Sequence, residues 1–368
     1  MTADGKPMTQ EEELRRIRDR IDEIDASLLA LISARARCAQ DVAEVKRRHG
    51  DNTTFYRPER EAQVLRRIQQ ENPGPLDDEE MARLFREIMS ACLAAEERQK
   101  IAYFGPAGSF TQMAALKHFG HSIDTVALNA INEVFREVES KSCAYGVVPI
   151  ENSTEGVVNH TLDSFLESSL KICGEVEIRI HQHLMSTCDD FQQIKRIYSH
   201  PQSLAQCREW LDTHLPQAER INASNNAEAA RRAADEAGAA AIAGEAAAEL
   251  YGLDILHHNV EDNPNNTTRF LVIGHQDVPP SGDDKTSLLV SAQNRPGALY
   301  HILSPFADNN VSLTRIESRP SHCVNWEYVF FLDLQGHVSE PSIQQALDTL
   351  HNSADLVRVL GSYPKAVL

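Results

Sequence analysis

The chain has 368 residues, enough for two or three domains at roughly 100–200 residues each. Its hydrophobic fraction of 42% and charged fraction of 24% are those of an ordinary soluble globular protein, and no apolar run approaches the ~20 residues of a membrane span. A formal charge of -18 argues against a nucleic-acid partner, and the polar, acidic start MTADGKPMTQEEE reads as neither signal nor transit peptide.

The cysteines are scattered and form no CxxC pair, which points to a reducing cytoplasm, with no disulfide framework and no zinc site. His181/His183 and His257/His258 are spaced too closely to ligate a metal from one helix face. No metal and no cofactor is expected.

Residues 10–98 read as helical. The first helix is predicted from Thr9 to about Arg48, with Ile17, Ile21, Ile24, Leu28, Leu31 and Ile32 at amphipathic spacing. Pro58 suits the first turn of a second helix, and a third is predicted over Glu79–Gln99. A helix near 40 residues would be about 60 Å long at 1.5 Å per residue, too long for two shorter helices to cover. A second copy of the chain is therefore expected against it, as a homodimer or higher oligomer.

The apolar face of that helix also carries cations. Arg35 lies five turns beyond Ile17, and Lys46 falls only about 20° off the same stripe. Arg18 sits on the flank, and FYRPERE adds Arg57, Arg60 and Glu61. Inward cations are costly unless an anion meets them. Two readings stand: salt bridges inside a bundle, to Glu61 or Asp41, or a pocket for a small dianion.

The ordered set Arg18, Arg35, Lys46, Arg60-Glu61 and the SACLAAE end of the third helix resembles the all-helical chorismate mutases over 10–98. The resemblance implies two interlocked protomers, with Arg18 serving the neighbour's pocket. Arg18, Arg35 and Arg60 would clamp the two carboxylates of chorismate. Lys46 would bond the ether oxygen, where negative charge grows during the rearrangement. Three positions depart from the pattern of some relatives: Glu96 stands for glutamine, Cys92 for serine and Arg57 for aspartate. A carboxyl at 96 can donate to the ether oxygen only when protonated.

Beyond residue 100 the pattern becomes α/β. Short apolar strands (IAYFG, CAYGVVPI, EVEIRI, RIYSH, AAIAG, TRFLVIG) alternate with helices over 101–277. GPAGSFT, VVPIENSTEG and SHPQSLAQC each follow a strand and open a helix, as loops around a ligand crevice do. NNTTRF adds a hydroxyl at Thr268 and a cation at Arg269. Arg269 reads either as a substrate contact or as an ion pair near a domain edge, to Glu151.

VVPIENSTEG, SHPQSLAQC and NNTTRF together resemble the prephenate dehydratases, which have two α/β lobes with the substrate between them. The resemblance implies that Thr268 donates to the leaving hydroxyl of prephenate, while Asn152, Ser153, Thr154, Ser199 and Gln206 bind or orient it. Arg269 is a candidate carboxylate partner from the chemistry alone. His200 precedes Pro201 and reads as an acid or as a helix cap.

VPPSGDD reads as a linker to residues 285–368, where the predicted order is βαββαβ, a ferredoxin-like unit. NRPGALYHIL and LTRIESRPS resemble the ACT regulatory domain. The resemblance implies phenylalanine as effector, held at Asn294, Gly297, Ala298, Leu299, Glu317, Ser318 and Arg319. Glu317 and Arg319 share a strand face, so an ion pair is the alternative.

The three segments in this order resemble the bifunctional chorismate mutase/prephenate dehydratases. The expected fold is multidomain: an all-α helical mutase domain, a two-lobed α/β dehydratase domain and an ACT domain. The implied function is cytoplasmic phenylalanine biosynthesis, from chorismate through prephenate to phenylpyruvate, with feedback by phenylalanine. The alternatives are an arogenate dehydratase, or a non-catalytic amino-acid sensor whose helices only dimerise.

Overall fold

The computed structural model describes residues 9–49, 56–292, 295–320 and 328–368. It opens with a 39-residue helix, α1 (Gln10–Arg48). Thr9 caps it reciprocally, its Oγ accepting from the Glu12 N–H while the Glu12 carboxylate accepts from the Thr9 N–H. α2 (Pro58–Glu71) begins on a proline, and α3 (Asp78–Ala94) on the Asp77 cap. α3 stops five residues short of the predicted Gln99, because Gln99 already accepts from Asp124 N–H at the start of the next sheet. α2 and α1 both pack on α3. Along α1 the residues Leu14, Ile17, Ile21, Ile24, Leu28 and Leu31 remain exposed.

The first lobe of the middle segment holds β1 (Lys100–Phe104), α4 (Phe110–Phe119), β2 (Asp124–Leu128), α5 (Ile131–Glu139), β3 (Tyr145–Asn152), β4 (Gly156–Val157), α6 (Asn159–Glu167) and β5 (Lys171–Arg179). The chain then leaves to build a second lobe. That lobe comprises β6 (His183–Ser186), β7 (Arg196–Ser199), α7 (Pro201–Gln206), α8 (Arg208–His214), β8 (Glu219–Asn222), α9 (Asn226–Asp235), β9 (Ala239–Ala243), α10 (Glu245–Tyr251) and β10 (Asp254–His257). It returns through β11 (Thr267–Gly274). Hence the first sheet runs β2-β1-β3-β11-β5 and the second β10-β6-β9-β7-β8. β11 lies antiparallel between β3 and β5, in the heart of the first lobe. The two chain crossings between lobes leave a cleft whose first-lobe wall includes the start of β11.

The last unit is β12 (Asp284–Ala292), α11 (Ala298–Asp308), β13 (Leu313–Pro320), β14 (Tyr328–Gln335), α12 (Pro341–His351) and β15 (Leu356–Pro364), with antiparallel order β13-β14-β12-β15. Strand alternation gives this sheet two apolar faces. Leu288, Val290, Leu332 and Leu334 pack against Ile302, Phe306 and Ile343 of its own helices. Leu289, Val329, Phe331 and Leu360 face the other way and join Ile150, Leu162, Phe165 and Leu271 in one core. The docking is close enough to require glycine: a Cβ at Gly361 would lie 2.2 Å from the Ile172 carbonyl oxygen.

Among the described residues no helix is long and apolar enough to cross a membrane, and no cluster of three or more His, Cys, Asp or Glu has the arrangement of a metal site.

Candidate active sites

In the helical segment α1 and α2 bring opposite charges together. Burial pushes the Glu61 carboxyl up from its usual range, and Arg86 followed by Arg35 pulls it back. Arg86 Nε lies 3.3 Å from Glu61 Oε1. Just past the end of α3, Glu96 is raised by desolvation, with Lys46 and Arg47 opposing. Cys92 is buried on the same helix. Two charge pairs therefore form within one protomer, Arg35 with Glu61 and Lys46 with Glu96. Arg18, Arg35 and Arg60 are exposed.

Arg57 is a correction. It precedes α2 with its guanidinium on Glu59 (2.6 Å), and it borders a groove with Lys141 and His275 on the dehydratase side. It turns away from the other cations because Pro58 starts the helix one residue later and sends the chain before it toward the first lobe.

The cleft between the lobes is a cavity of about 500 Å³. Asn152, Gln182, Gln206, Asn226, Asn266 and Thr268 line it, with Phe110 and Phe270 as apolar wall. Its lining includes no Lys, Arg, Asp or Glu. The starts of α4 and α9, capped by Ser109 and Asn225, border it as well. Their free N–H groups supply positive character without a cation.

Thr268 sits in a directed hydrogen-bond chain. The Thr154 and Glu155 N–H groups donate to Asn152 Oδ1 at 3.0 Å each, which fixes the amide's orientation. Asn152 Nδ2 then donates to Thr268 Oγ and to Asn266 Oδ1, both at 2.8 Å. With its oxygen accepting, the Thr268 hydroxyl has its proton left to give, and an accepted bond strengthens that donation. Gln182 Oε1, Gln206 Nε2 and Asn266 Nδ2 are buried with no hydrogen-bond partner among the described residues. Such atoms are costly unless a ligand meets them.

Four expected substrate contacts are corrected here. Arg269 follows Thr268 on β11 and so points to the opposite face of the sheet. It pairs there with Asp333 (2.5 Å), Glu175 (3.2 Å) and Glu151 (3.9 Å), binding the last unit to the first lobe. Ser199 is fully buried behind the wall, donating to the Ile242 carbonyl at 2.7 Å, with Asn226 Oδ1 3.1 Å away. Ser153 and Thr154 brace the NNTT loop rather than line the cavity: Ser153 Oγ accepts from Thr267 N–H, and Thr154 Oγ donates to Asn266 Oδ1. His200 caps α7, its Nδ1 accepting from Gln202 N–H at 3.3 Å. Gln182, Asn226 and Asn266 were not singled out from the sequence. The doubled asparagine of NNTT was the one available signal, since a buried amide in a loop needs a partner.

In the last unit Gly297 takes the left-handed conformation (φ 82°) at the start of α11, where Ala298 and Leu299 follow. Asn294 lies outside the described residues. Glu317 and Arg319 share one face of β13 while Ser318 points to the other. The expectation for Arg319 as an open effector contact is corrected: both Nη2 contacts go to Asp163 of α6, at 2.7 and 2.9 Å.

A helical unit, a two-lobed cleft and a docked ferredoxin-like sheet define a multidomain enzyme. Family models match each part: chorismate mutase type II over 17–97, prephenate dehydratase over 101–278 and the ACT domain over 286–352. A bifunctional chorismate mutase/prephenate dehydratase of Pseudomonas aeruginosa is 58% identical over 365 residues, covering 98% of this chain and 100% of that one. One from Neisseria gonorrhoeae is 52% identical over 354 residues, covering 95% and 97%. The crystal structure of a prephenate dehydratase from Arthrobacter aurescens in complex with L-Phe superposes with a TM-score of 0.68 at 34% identity, covering 73% of this chain and 90% of that one. The chain belongs to the bifunctional chorismate mutase/prephenate dehydratase family. It is an enzyme with both activities.

Proposed function

We propose that the helical segment rearranges chorismate to prephenate and that the cleft then decarboxylates and dehydrates prephenate to phenylpyruvate, under feedback by phenylalanine. In the helical site Arg35, Arg60 and a neighbour's Arg18 hold the two carboxylates. Glu61, as the carboxylate among these cations, accepts from the substrate's hydroxyl. Lys46 and a protonated Glu96 donate to the ether oxygen as its charge grows. Neither a pericyclic shift nor this elimination needs a cofactor.

In the cleft, Thr268 donates to the departing hydroxyl and Asn152 holds it in line. Gln182, Gln206 and Asn266, with the starts of α4 and α9, bind the carboxylates and ring. The Asn152-to-Thr268 hydrogen bond is the observation that carries this reading, because it leaves the hydroxyl proton free on the cleft side. Aromatisation is strongly downhill, so a weak acid suffices.

The exposed apolar stripe of α1 supports a second copy as its cover, which would bring Arg18 to the neighbour's site. Phenylalanine binds between paired ACT units near Gly297 and Glu317, with the inhibited state binding it more tightly. The reading is cytoplasmic.

A cofactor-free assay tests this: the purified protein should form phenylpyruvate from chorismate and be inhibited by phenylalanine. Prephenate and arogenate are offered side by side, and a preference for arogenate would displace the prephenate reading. No product from chorismate, prephenate or arogenate would leave the protein a sensor only.

A further inference from the structure

Arg86 belongs to neither set of expected site residues. It lies on α3 and is 8% exposed. Its Nη1 donates to the carbonyls of Lys117 (3.0 Å) and His118 (2.6 Å) in the last turn of α4. Its Nε faces Glu61 at 3.3 Å yet makes no hydrogen bond among the described residues, so its hold on that carboxylate is Coulombic. One guanidinium thus touches a group of the helical site and the scaffold of the other lobe.

The far end of α4 matters as well. Ser109, Phe110 and Thr111, at its start, line the cleft. α3 and α4 also meet where no side chain fits: a Cβ at Gly120 would come 2.5 Å from Ser90 Cβ. Tyr56, just before α2, closes the same junction with its hydroxyl 2.7 Å from His118 Nε2.

We propose that Arg86 is a positioning residue of the helical site, fixing the Glu61 carboxylate while anchored on the dehydratase lobe, so that the rearrangement depends on how that lobe is docked. This rests on the reading of Glu61 as a chorismate contact. Arg35 is then left free to turn to substrate, since the buried carboxylate already has a permanent cation.

The charged and titratable groups around Glu61 are few. Arg86 faces it from α3, Arg35 from α1 and Tyr56 from the segment before α2. His118 and Lys117 of α4 lie beyond Arg86. Burial and Arg86 hold His118 neutral, so α4 offers Lys117 as its cation. Removing Arg86 would leave burial less opposed, and Glu61 would take up a proton at higher pH. The acidic limb of prephenate formation would move up, while the alkaline limb set by Glu96 would stay.

The test uses full-length wild-type, Arg86→Gln, Arg86→Lys and Gly120→Ala proteins. Each is assayed for prephenate from chorismate between about pH 5 and about pH 9, and separately for phenylpyruvate from added prephenate. Arg86→Gln should lose about 10- to 100-fold in mutase kcat/KM, with its acidic limb shifted to higher pH. Arg86→Lys should recover part of the limb position, since charge returns without the fork. Gly120→Ala, in the dehydratase segment, should impair the mutase more than the dehydratase. An Arg86→Gln profile with an unmoved acidic limb, or equal loss of both activities, would overturn the proposal. A wild-type protein that forms no prephenate would sink the functional reading along with it.

Discussion

In the helical segment the candidate groups are charged and opposed: Arg35 acts on Glu61, and Lys46 on Glu96. In the cleft the lining offers hydroxyls, amides, the His200 imidazole and helix starts, with no Lys, Arg, Asp or Glu. The two substrates are isomeric dianions, so total charge does not explain the contrast. The chemistry does. In the rearrangement both carboxylates survive and negative charge gathers on one ether oxygen, which fixed cations stabilise throughout. In the second reaction one carboxylate leaves as carbon dioxide. A guanidinium on that carboxylate would favour the ground state over the transition state and slow the step. Neutral donors can bind without that penalty.

Arg35→Ala should break the comparison on the cationic side. We expect about a thousandfold loss of prephenate formation from chorismate, with added prephenate still consumed at the wild-type rate. Thr268→Val tests the neutral side: prephenate should accumulate, the dehydratase falling about a hundredfold while the mutase stays unchanged. If both variants keep full flux, the site assignments are wrong.

Arg269→Gln separates structure from substrate contact. Leaving Asp333 buried without its paired guanidinium should cost about 3 kcal/mol of stability, read as a lower thermal midpoint, while Glu175 keeps Lys285 at 2.8 Å. KM for prephenate should stay put in the cold, and a raised KM with unchanged stability would return Arg269 to the substrate.

The smallest effect concerns Glu96. Its carboxyl is raised by desolvation, and only its protonated form donates. Mutase activity should therefore fall as pH rises through that raised value, and Glu96→Gln should flatten the decline. A flat wild-type profile would remove Glu96 from the reaction.

Much of the helical segment was legible because its signals are local. Thr9 marked the start of α1, Pro58 marked α2, and the stripe of Ile17, Ile21 and Ile24 marked an uncovered face. The cleft was legible only as motifs. The period of two along TTRF puts Thr268 and Arg269 on opposite faces, and attention to it would have kept the arginine out of the site. β6 (HLMS) and β8 (ERIN) lack the adjacent β-branched and aromatic pair that made the equally short β7 readable in RIYS. The partners of Ser199, Gln182 and Arg86 are set by tertiary contacts across 21 to 43 residues or more, and no local spacing encodes them.

The most direct test of the contrast between a cationic and a neutral site is ionic strength, applied to both reactions of one protein. KM for chorismate and KM for prephenate should be measured from roughly 0.05 M to roughly 0.5 M salt. KM for chorismate should climb several-fold as the helical cations are screened, while KM for prephenate stays level or falls. Parallel rises in both would contradict the account.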